Sequence, residues 1–273
     1  MTTTAEQRVS CTISDGVADV RMSRPDKLNA LDQAMFEALV ATGLRLREDR
    51  SVRAVVLSGE GRAFCAGLDF GNFRQMADGG RSPERRAATT EPVGPAKSRG
   101  QQAAHVWTTI PVPVIAAVHG AAFGGGLQVA LGADIRLVAA DARLSVMEIK
   151  WGLAPDMTGT QLLPELVGRD VAKELTFTGR IVSGTEAAEL GLATRVEDDP
   201  LAAALDLARE IATKSPDAIR RSKQLLDMAG RTSLAEGFAA EQEAINALIG
   251  SPNQTEAVRA NLDERAPEFT DPA

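Results

Sequence analysis

The sequence predicts an α/β protein that ends in a purely helical region. Up to about residue 200, short apolar runs typical of buried strands alternate with stretches in which apolar residues recur at helical spacing. Beyond that point only the helical spacing remains. Hydrophobic residues make up 44% of the 273 residues, enough to bury a sizeable core. We therefore expect a core domain over residues 1–200 and a C-terminal helical region over residues 201–273.

The first elements are predicted to be a β-hairpin, a helix and a buried strand. Strands over residues 9–13 and 17–22 flank an Asp-Gly dipeptide, which suits the positive φ angles of a tight hairpin turn. Apolar residues then recur at helical spacing over residues 31–44. A β-branched run over residues 52–57 predicts a buried strand.

Glycine and proline concentrate in residues 72–100, which predicts a mobile surface loop. The loop also carries basic side chains, namely Arg81, Arg85, Arg86, Lys97 and Arg99. We interpret them as solvated charges, with attraction of an anionic ligand as the alternative.

Strands and a helix alternate again after this loop. Strands are predicted over residues 112–118 and 134–139, with a helix over residues 124–131 between them, and another strand follows over residues 143–146. A strand-helix-strand pattern of this kind, repeated along the chain, is typical of an α/β fold.

A short helix is predicted to begin after Ser183 and to stop at Gly191. Glu186 lies three residues after the serine, which is the spacing of a capping box. Glycine is the residue that most often follows a helix end.

The tail is predicted to contain two helices with apolar stripes. The first stripe consists of Leu234, Phe238, Ile245, Leu248 and Ile249. A last helix over residues 253–264 keeps Val258 and Leu262 on one face. Such stripes need cover, either from the chain's own core or from a neighbouring subunit.

Charge and composition argue against several classes of protein. The net charge of −7 repels a phosphate backbone, so nucleic acid is not an expected partner. Cys11 and Cys65 have no metal-type spacing and are interpreted as small core residues in a reducing compartment. Residues 1–8 lack the features of a signal or transit peptide, and prolines and glycines interrupt the apolar stretch over residues 111–133. We expect a cytoplasmic protein without a membrane span.

The familiar nucleotide, hydrolase and metal signatures do not fit the chain. Val129 stands where a dinucleotide loop beginning at Gly124 would need its third glycine. There is no Gly-x-Ser-x-Gly motif, and His105 and His119, the two histidines, are not in metal-ligand spacing. No metal or redox cofactor is predicted.

Two glycine-containing junctions follow buried strands, over residues 63–69 and 119–126. A turn of this kind that opens a helix leaves backbone N–H groups unpaired, and such groups bind oxyanions or phosphates. From the residues alone, each junction is either an anion site or a structural tight turn.

Glu148 and Asp156 flank an apolar stretch, a setting in which carboxyl groups gain proton affinity and serve in acid–base chemistry. The other interpretation is that both are surface charges beside a loop.

Four separated blocks appear in the order typical of the crotonase, or enoyl-CoA hydratase/isomerase, superfamily. They are residues 24–31, 61–69, 117–126 and 152–161. The resemblance extends from Val9 to Phe269, and in motif the chain is most similar to dienoyl-CoA isomerase-like members.

The resemblance implies a spiral of ββα units with a C-terminal trimerisation region, in a homotrimer or homohexamer. The substrate would be an acyl-CoA thioester, with CoA as part of the substrate and no separate cofactor. The backbone N–H groups of Leu68 and Gly125 would hold the enolate oxygen. The residues implied along the CoA and thioester are Lys27, Leu28, Ala30, Ala66, Gly67, Leu68, Asp69, Phe70 and Gly125.

The acid–base positions differ from those of typical hydratases, which use two glutamates. Here the two positions hold Gln128 and Glu148, and an amide cannot exchange a proton at neutral pH. Glu148 matches the single glutamate of the Δ3,Δ2-enoyl-CoA isomerases. Asp156, eight residues later, is similar to the partner acid of the Δ3,5,Δ2,4-dienoyl-CoA isomerases. The third acidic residue of that subfamily is replaced by Gln128.

The tail departs from the family as well. The family's Glu-Lys-Arg, whose lysine contacts the CoA phosphate, is replaced here by residues 263–265, Asp-Glu-Arg, so Arg265 or the basic residues of 81–99 are the candidate substitutes.

Three hypotheses follow from the resemblance. The first is double-bond isomerisation with Glu148 as base and Asp156 as partner acid. The second is water addition to a 2-enoyl-CoA in β-oxidation, by Glu148 alone or with Asp156. The third is a relative that binds acyl-CoA with little or no turnover.

Overall fold

The computed structural model of the protein describes residues 8–77 and 91–272. The first part of the chain forms β1 (Val9–Ser14), β2 (Val17–Met22), α1 (Gln33–Glu48), β3 (Ala54–Gly59), α2 (Phe70–Ala77), α3 (Arg99–His105), β4 (Val114–Val118), β5 (Ala121–Phe123) and α4 (Gly125–Leu131). The second part forms β6 (Ile135–Val138), β7 (Arg143–Ser145), α5 (Gly159–Val167), α6 (Arg169–Thr178), β8 (Val182–Ser183), α7 (Gly184–Glu189), β9 (Arg195–Val196), α8 (Pro200–Ala212), α9 (Pro216–Met228), α10 (Leu234–Leu248) and α11 (Pro252–Leu262). Short 3₁₀ turns occupy Pro25–Lys27, Val106–Thr109 and Met147–Trp151.

Within these described ranges the strands form a large and a small sheet. The large sheet has the order β1-β2-β3-β4-β6-β9, in which the β1–β2 hairpin is antiparallel and the other pairs are parallel. The small sheet has the order β5-β7-β8. The chain passes from β4 to β5 and from β6 to β7, so successive repeats place one strand in each sheet and then enter helical segments. This arrangement confirms the expected α/β spiral of ββα units.

The central strands of the large sheet are buried on both faces, which explains their continuous apolar runs. Val55 and Leu57 of β3 face a large cluster that includes Trp107 and Leu39. Val56 faces a second cluster with β4, β6 and the alanines of α8. The first tail helix therefore packs on the sheet.

Helix α1 begins two residues later than the apolar spacing predicts. Leu31 is held in a backbone bridge to Leu68, and Asp32 caps the helix by accepting a hydrogen bond from the Met35 N–H at 2.8 Å. Core packing thus sets the apolar spacing that starts at Leu31, whereas the Asp32 cap sets the start of the helix.

The predicted short helix is α7, with Ser183 Oγ accepting from the Glu186 N–H at 3.1 Å. The Glu186 carboxylate accepts instead from Arg180 Nη1 at 2.5 Å. The serine cap is confirmed, and the glutamate serves an ion pair.

Residues 91–97 lie in a loop, as predicted, but the prediction is wrong at the two ends of the segment 72–100 that the structure describes. Residues up to Ala77 belong to α2, Val93 and Ala96 form a backbone bridge, and a capping box at Ser98 starts α3. Lys97 is exposed as expected. Arg99 is buried, so its interpretation as a solvated loop charge is a second correction. Arg81, Arg85 and Arg86 lie outside the described residues.

The two cysteines differ in burial, and both are free thiols. Cys65 is fully buried, and its thiol lies 3.1 Å from the Asn29 carbonyl oxygen. Burial raises the pKa of the Cys65 thiol to about 12. Cys11 is half-buried and packs against the main core.

The apolar stripes of the last two helices remain exposed in the chain. They include Leu234, Phe238, Ile249 and Leu262, whose exposed fractions run from 62% to 78%. Oligomerisation through this region therefore stays a prediction. Among the described helices, none combines the length and the apolar character needed to cross a membrane.

A buried lysine ties the tail to the sheet. Lys223 Nζ on α9 donates to Asp134 Oδ2 at 2.6 Å and to the Val112 carbonyl oxygen at 3.1 Å. The Lys223 side chain is 7% exposed and that of Asp134 27%. Both acceptors flank the edge where β4 and β6 begin.

We expect Lys223→Ala to lower the free energy of unfolding by about 2 kcal/mol, because the Val112 carbonyl loses its charged donor and Asp134, which keeps the Val114 N–H at 2.7 Å, loses its ion pair. Urea denaturation measures the effect. Lys214→Ala is the control, since it removes an exposed pair with Glu210 at 3.7 Å and should cost less than about 0.5 kcal/mol. Equal losses in both variants would show that the Lys223 contact is not stabilising.

Candidate active site

The two glycine-containing junctions lie against each other. Cys65 N–H donates to the Ala121 carbonyl at 2.9 Å, and Phe123 N–H donates back to the Cys65 carbonyl at 3.0 Å. Gly67 has φ +86, and a Cβ there would lie 2.5 Å from the Phe123 carbonyl oxygen and 3.7 Å from the Gly125 nitrogen. Only glycine fits this turn. Because Gly67 has no side chain, the predicted donors, the N–H groups of Leu68 and Gly125, can lie close together.

Both predicted donors are available for a ligand. The Leu31–Leu68 bridge is made through the Gly67 carbonyl and the Asp69 N–H, at 2.8 and 3.1 Å. In such a parallel bridge the N–H of the middle residue, here Leu68, points the other way. Gly125 is the first residue of α4, where a helix has no internal partner for its N–H. Within the described residues, neither N–H donates a protein hydrogen bond.

Asp69 fixes the turn that carries Leu68. Its Oδ2 accepts from Arg24 Nη1 at 2.7 Å, and its Oδ1 accepts from the Gly71 N–H at 2.8 Å. Burial acts to raise the pKa of Asp69, but the Gly71 N–H, Arg24 and Lys27 outweigh it and the pKa is lowered. Asp69 is therefore a structural anion beside the turn.

Most of the predicted CoA-contacting residues fall in two segments, 27–30 and 66–70, that a backbone hydrogen bond joins. The Ala66 N–H donates to the Leu28 carbonyl at 2.9 Å, which joins residues 27–30 to the turn. Lys27 is exposed, Leu28 and Ala66 are half-buried, and Ala30 is buried.

Phe70 follows the turn and is 68% exposed. Its ring meets Trp151 edge to face, with centroids 5.8 Å apart. The two exposed rings provide an apolar surface beside the turns.

Glu148 lies on the 3₁₀ turn after β7 and is 9% exposed. Its Oε1 accepts from Gln128 Nε2 at 2.5 Å, whereas its Oε2 is buried and has no hydrogen-bond partner. A Cβ at Gly124 would lie 3.3 Å from Oε1, so the carboxyl group stands directly beside the residue that precedes Gly125. The structure thus brings Glu148 and the second glycine turn together.

The orientation of the Gln128 amide is fixed by its other end. Gln128 Oε1 accepts from the Met157 and Gly159 N–H groups, both at 2.9 Å. Because an amide oxygen must face these donors, Nε2 must face Glu148. Gln128 therefore presents a donor to the carboxyl group and holds the turn over residues 157–159.

The pKa of Glu148 is raised. Burial is the main cause, and the negative charge of Asp156 adds to it, while the Gln128 hydrogen bond opposes it. Asp156 itself is exposed. The two carboxyl groups are thus close enough to interact electrostatically, but they occupy different environments.

Some functional features were not apparent in the sequence. The ion pair of Arg24 with Asp69 joins residues far apart in the sequence, and nothing in the sequence around Met157 indicates that its Sδ would lie 2.8 Å from a Cβ at Gly125. The Arg265 guanidinium is engaged by Glu256 at 2.6 and 3.0 Å, so it is not a free phosphate ligand. In the described ranges, no three His, Cys, Asp or Glu side chains cluster in a way suited to a metal ion.

The spiral of ββα units and the paired turns define the class, which is that of crotonase-fold proteins. The model of the enoyl-CoA hydratase/isomerase family matches residues 12–272. The chain belongs to this family.

Individual relatives agree with that membership. The enoyl-CoA hydratase domain-containing protein 2, mitochondrial, of Mus musculus is 36% identical over 263 residues, which are 94% of this chain and 85% of the relative. The mitochondrial methylglutaconyl-CoA hydratase of Mus musculus is 32% identical, over 93% of this chain and 79% of the relative. The crystal structure of an enoyl-CoA hydratase from Bacillus anthracis has a TM-score of 0.85 at 31% identity, covering 96% and 99% of the two chains.

We expect Glu148→Gln to raise the thermal midpoint at pH 8. A raised pKa means that the folded state resists ionisation of Glu148, so wild-type stability falls as the pH rises through that value. Below the ordinary value of 4.5 both side chains are neutral and the difference should vanish.

Thermal denaturation from pH 4.5 to 8 measures this difference. The variant Glu189→Gln, at an exposed position, corrects for the loss of one negative charge. A variant that is less stable than wild type at pH 8 would contradict the expected sign.

Proposed function

We propose that the protein shifts a carbon–carbon double bond in enoyl-CoA thioesters, with Glu148 as the base. The favoured reactions convert Δ3-enoyl-CoA to Δ2-enoyl-CoA or Δ3,5-dienoyl-CoA to Δ2,4-dienoyl-CoA. The N–H groups of Leu68 and Gly125 stabilise the enolate oxygen. CoA enters as part of the substrate, along the surface of residues 27–30 and 66–70.

The observation that carries this proposal is the fixed amide of Gln128. Two backbone donors hold its oxygen, so the group beside Glu148 is a donor that cannot release or accept a proton. The buried part of the site therefore has one proton-transferring group, Glu148. Isomerisation needs one group that removes a proton and returns it elsewhere.

The steps follow from this arrangement. The unpaired Oε2 of Glu148 takes a proton from the carbon next to the thioester carbonyl, and the electron pair moves to the carbonyl oxygen. Two N–H groups directed at that oxygen stabilise charge that is absent from the starting thioester. A proton then returns at the far end of the conjugated system, from Glu148 or, for a dienoyl chain, from Asp156. The double bond has moved, and the atoms balance.

Burial helps Glu148 in this role. A raised pKa makes its carboxylate a stronger base, and the Gln128 hydrogen bond counteracts full protonation. The exposed Asp156 differs in environment, which is the condition for two carboxyl groups to take different roles.

Water addition is the second candidate. Glu148 and Asp156 interact electrostatically, so the pair could supply the base and the acid of a hydratase. The relatives from mouse and Bacillus anthracis described above carry the word hydratase in their names, which supports this alternative. A third candidate binds acyl-CoA without turnover.

We expect wild type to convert 3-enoyl-CoA to 2-enoyl-CoA or 3,5-dienoyl-CoA to 2,4-dienoyl-CoA, with deuterium from the buffer entering the product to the extent that the proton held by Glu148 exchanges before it is returned. Glu148→Gln should lower kcat by about 100- to 10,000-fold, the usual contribution of a general base. Asp156→Asn should impair the dienoyl substrate selectively. Absorbance and mass spectrometry follow both reactions in parallel.

Glu189→Gln is the matched control and should retain turnover, because that residue is exposed on α7, outside the site. A mass gain of one water on a 2-enoyl-CoA as the sole reaction would establish the hydratase instead. Tight binding of all three thioesters, with neither a shifted double bond nor deuterium exchange, would establish the binding protein.

The turn at Gly67 gives a separate test of the N–H donors. Gly67→Ala places a Cβ at φ +86 and 2.5 Å from a backbone oxygen, so the turn must shift and Leu68 N–H with it. Loss of one such donor typically lowers kcat by about 100- to 1,000-fold. Steady-state kinetics measures the loss. Gly237→Ala, on α10 with no atom within 4 Å of the added Cβ, should keep normal activity; unchanged kcat in Gly67→Ala would argue against the donors.

A further inference from the structure

Arg99 is an unpaired cation in the interior of the protein. It is the first residue of α3 and is 9% exposed. Its Nε is buried without a hydrogen-bond partner. In the part of the chain that the structure describes, its guanidinium makes neither a hydrogen bond nor an ion pair. Nothing in the proposed reaction uses it.

The other buried cations of the described chain are satisfied. Arg136 is 5% exposed and donates to the Leu192 and Ala133 carbonyls at 2.9 and 2.6 Å. Lys223 has both Asp134 and a carbonyl. Buried charges are normally paired, so a largely buried arginine whose Nε has no partner is a candidate site for an anion.

The position of α3 indicates where that anion binds. A Cβ at Gly100, the neighbour of Arg99, would lie 2.9 Å from Met157 Cγ. Met157 Sδ in turn would lie 2.8 Å from a Cβ at Gly125, and the Met157 N–H is bound by Gln128 beside Glu148. The start of α3 therefore packs against the residue that borders both the base and one N–H donor.

Met157 and the start of α3 lie on the acyl side of the site. In the proposed reaction Glu148 must face the carbons next to the thioester, so the adjoining Met157 borders the acyl chain. The CoA part lies along residues 27–30. An anion that reaches Arg99 thus belongs to the acyl group, because the phosphates are at the other end of the thioester.

We propose that Arg99 binds a carboxylate on the acyl chain, so that the substrates are CoA thioesters of unsaturated dicarboxylic acids. This inference rests on the proposed binding of acyl-CoA, and it adds the class of acyl group. A guanidinium binds a carboxylate through two parallel N–H···O hydrogen bonds. This pairing satisfies its donors and favours a carboxylate in one orientation. A plain acyl chain leaves Arg99 unpaired and is therefore the poorer ligand.

Calorimetry with unreactive saturated thioesters tests the inference without relying on turnover. Succinyl-, glutaryl-, adipoyl- and suberoyl-CoA are each compared with butyryl-, pentanoyl-, hexanoyl- and octanoyl-CoA of the same chain length. For at least one length we expect wild type to bind the carboxylated thioester about ten-fold or more tightly than its plain partner.

The ratio of the two dissociation constants is then measured in three variants. Arg99→Met should bring the ratio close to one. Arg99→Lys should retain part of the preference for the carboxylated thioester, because lysine keeps the positive charge but lacks the planar guanidinium. Lys97→Met removes an exposed positive charge two residues away and should keep the wild-type ratio. Thermal denaturation shows whether each variant is folded.

Each outcome is decisive. A wild-type ratio near one at every length, with plain acyl-CoA bound, would overturn the role of Arg99 and leave the proposed function standing. A ratio unchanged by Arg99→Met, or abolished equally by Lys97→Met, would show that the preference comes from general charge. Absence of binding to any of the eight thioesters would remove the proposed function and this inference together. A large loss of thermal stability in Arg99→Met would show that Arg99 has a partner within the protein.

Discussion

The site depends on backbone hydrogen bonds that join the ends of two neighbouring ββα repeats. Cys65 exchanges hydrogen bonds with Ala121 and Phe123, and this pairing sets the Leu68 turn beside the start of α4. The approach is so close that a Cβ at Gly126 would lie 2.3 Å from the Cys65 carbonyl oxygen. Backbone pairing thus positions the two N–H donors. The side chains around them can therefore differ without moving the donors.

Gln128 shows how one neutral side chain determines what chemistry a buried carboxyl group can perform. It binds the 157–159 turn through its oxygen and Glu148 through its nitrogen, so it links the buried carboxyl group to the turn that contains Met157. A second carboxyl group in its place would repel Glu148 and the two would share a proton. With the amide, Glu148 is the titratable member of this buried pair, and its Oε2 has no hydrogen-bond partner.

Features set by local sequence patterns could be predicted from the sequence, whereas features set by contacts between residues far apart in the chain could not. Strands such as β3 and β4 were visible because burial on both faces leaves continuous apolar runs, and the turns were visible through their glycines. The amide orientation of Gln128 was not visible, because it is set by backbone donors about 30 residues away. The burial of Arg99 could not be predicted for a similar reason. The residues around it in the sequence are typical of a solvated loop, whereas its burial comes from tertiary packing.

The burial of Cys65 makes its own thiol slow to react with oxidants and alkylating reagents. The thiolate is the form that reacts with peroxides and alkylating reagents, and a thiol with a pKa of about 12 supplies almost none of it at neutral pH. The sulfur also lies fully buried, two residues before Gly67. Reagents therefore reach it only when the paired turns separate. The rate at which Cys65 becomes labelled therefore reports how often the two glycine turns separate, independently of any substrate.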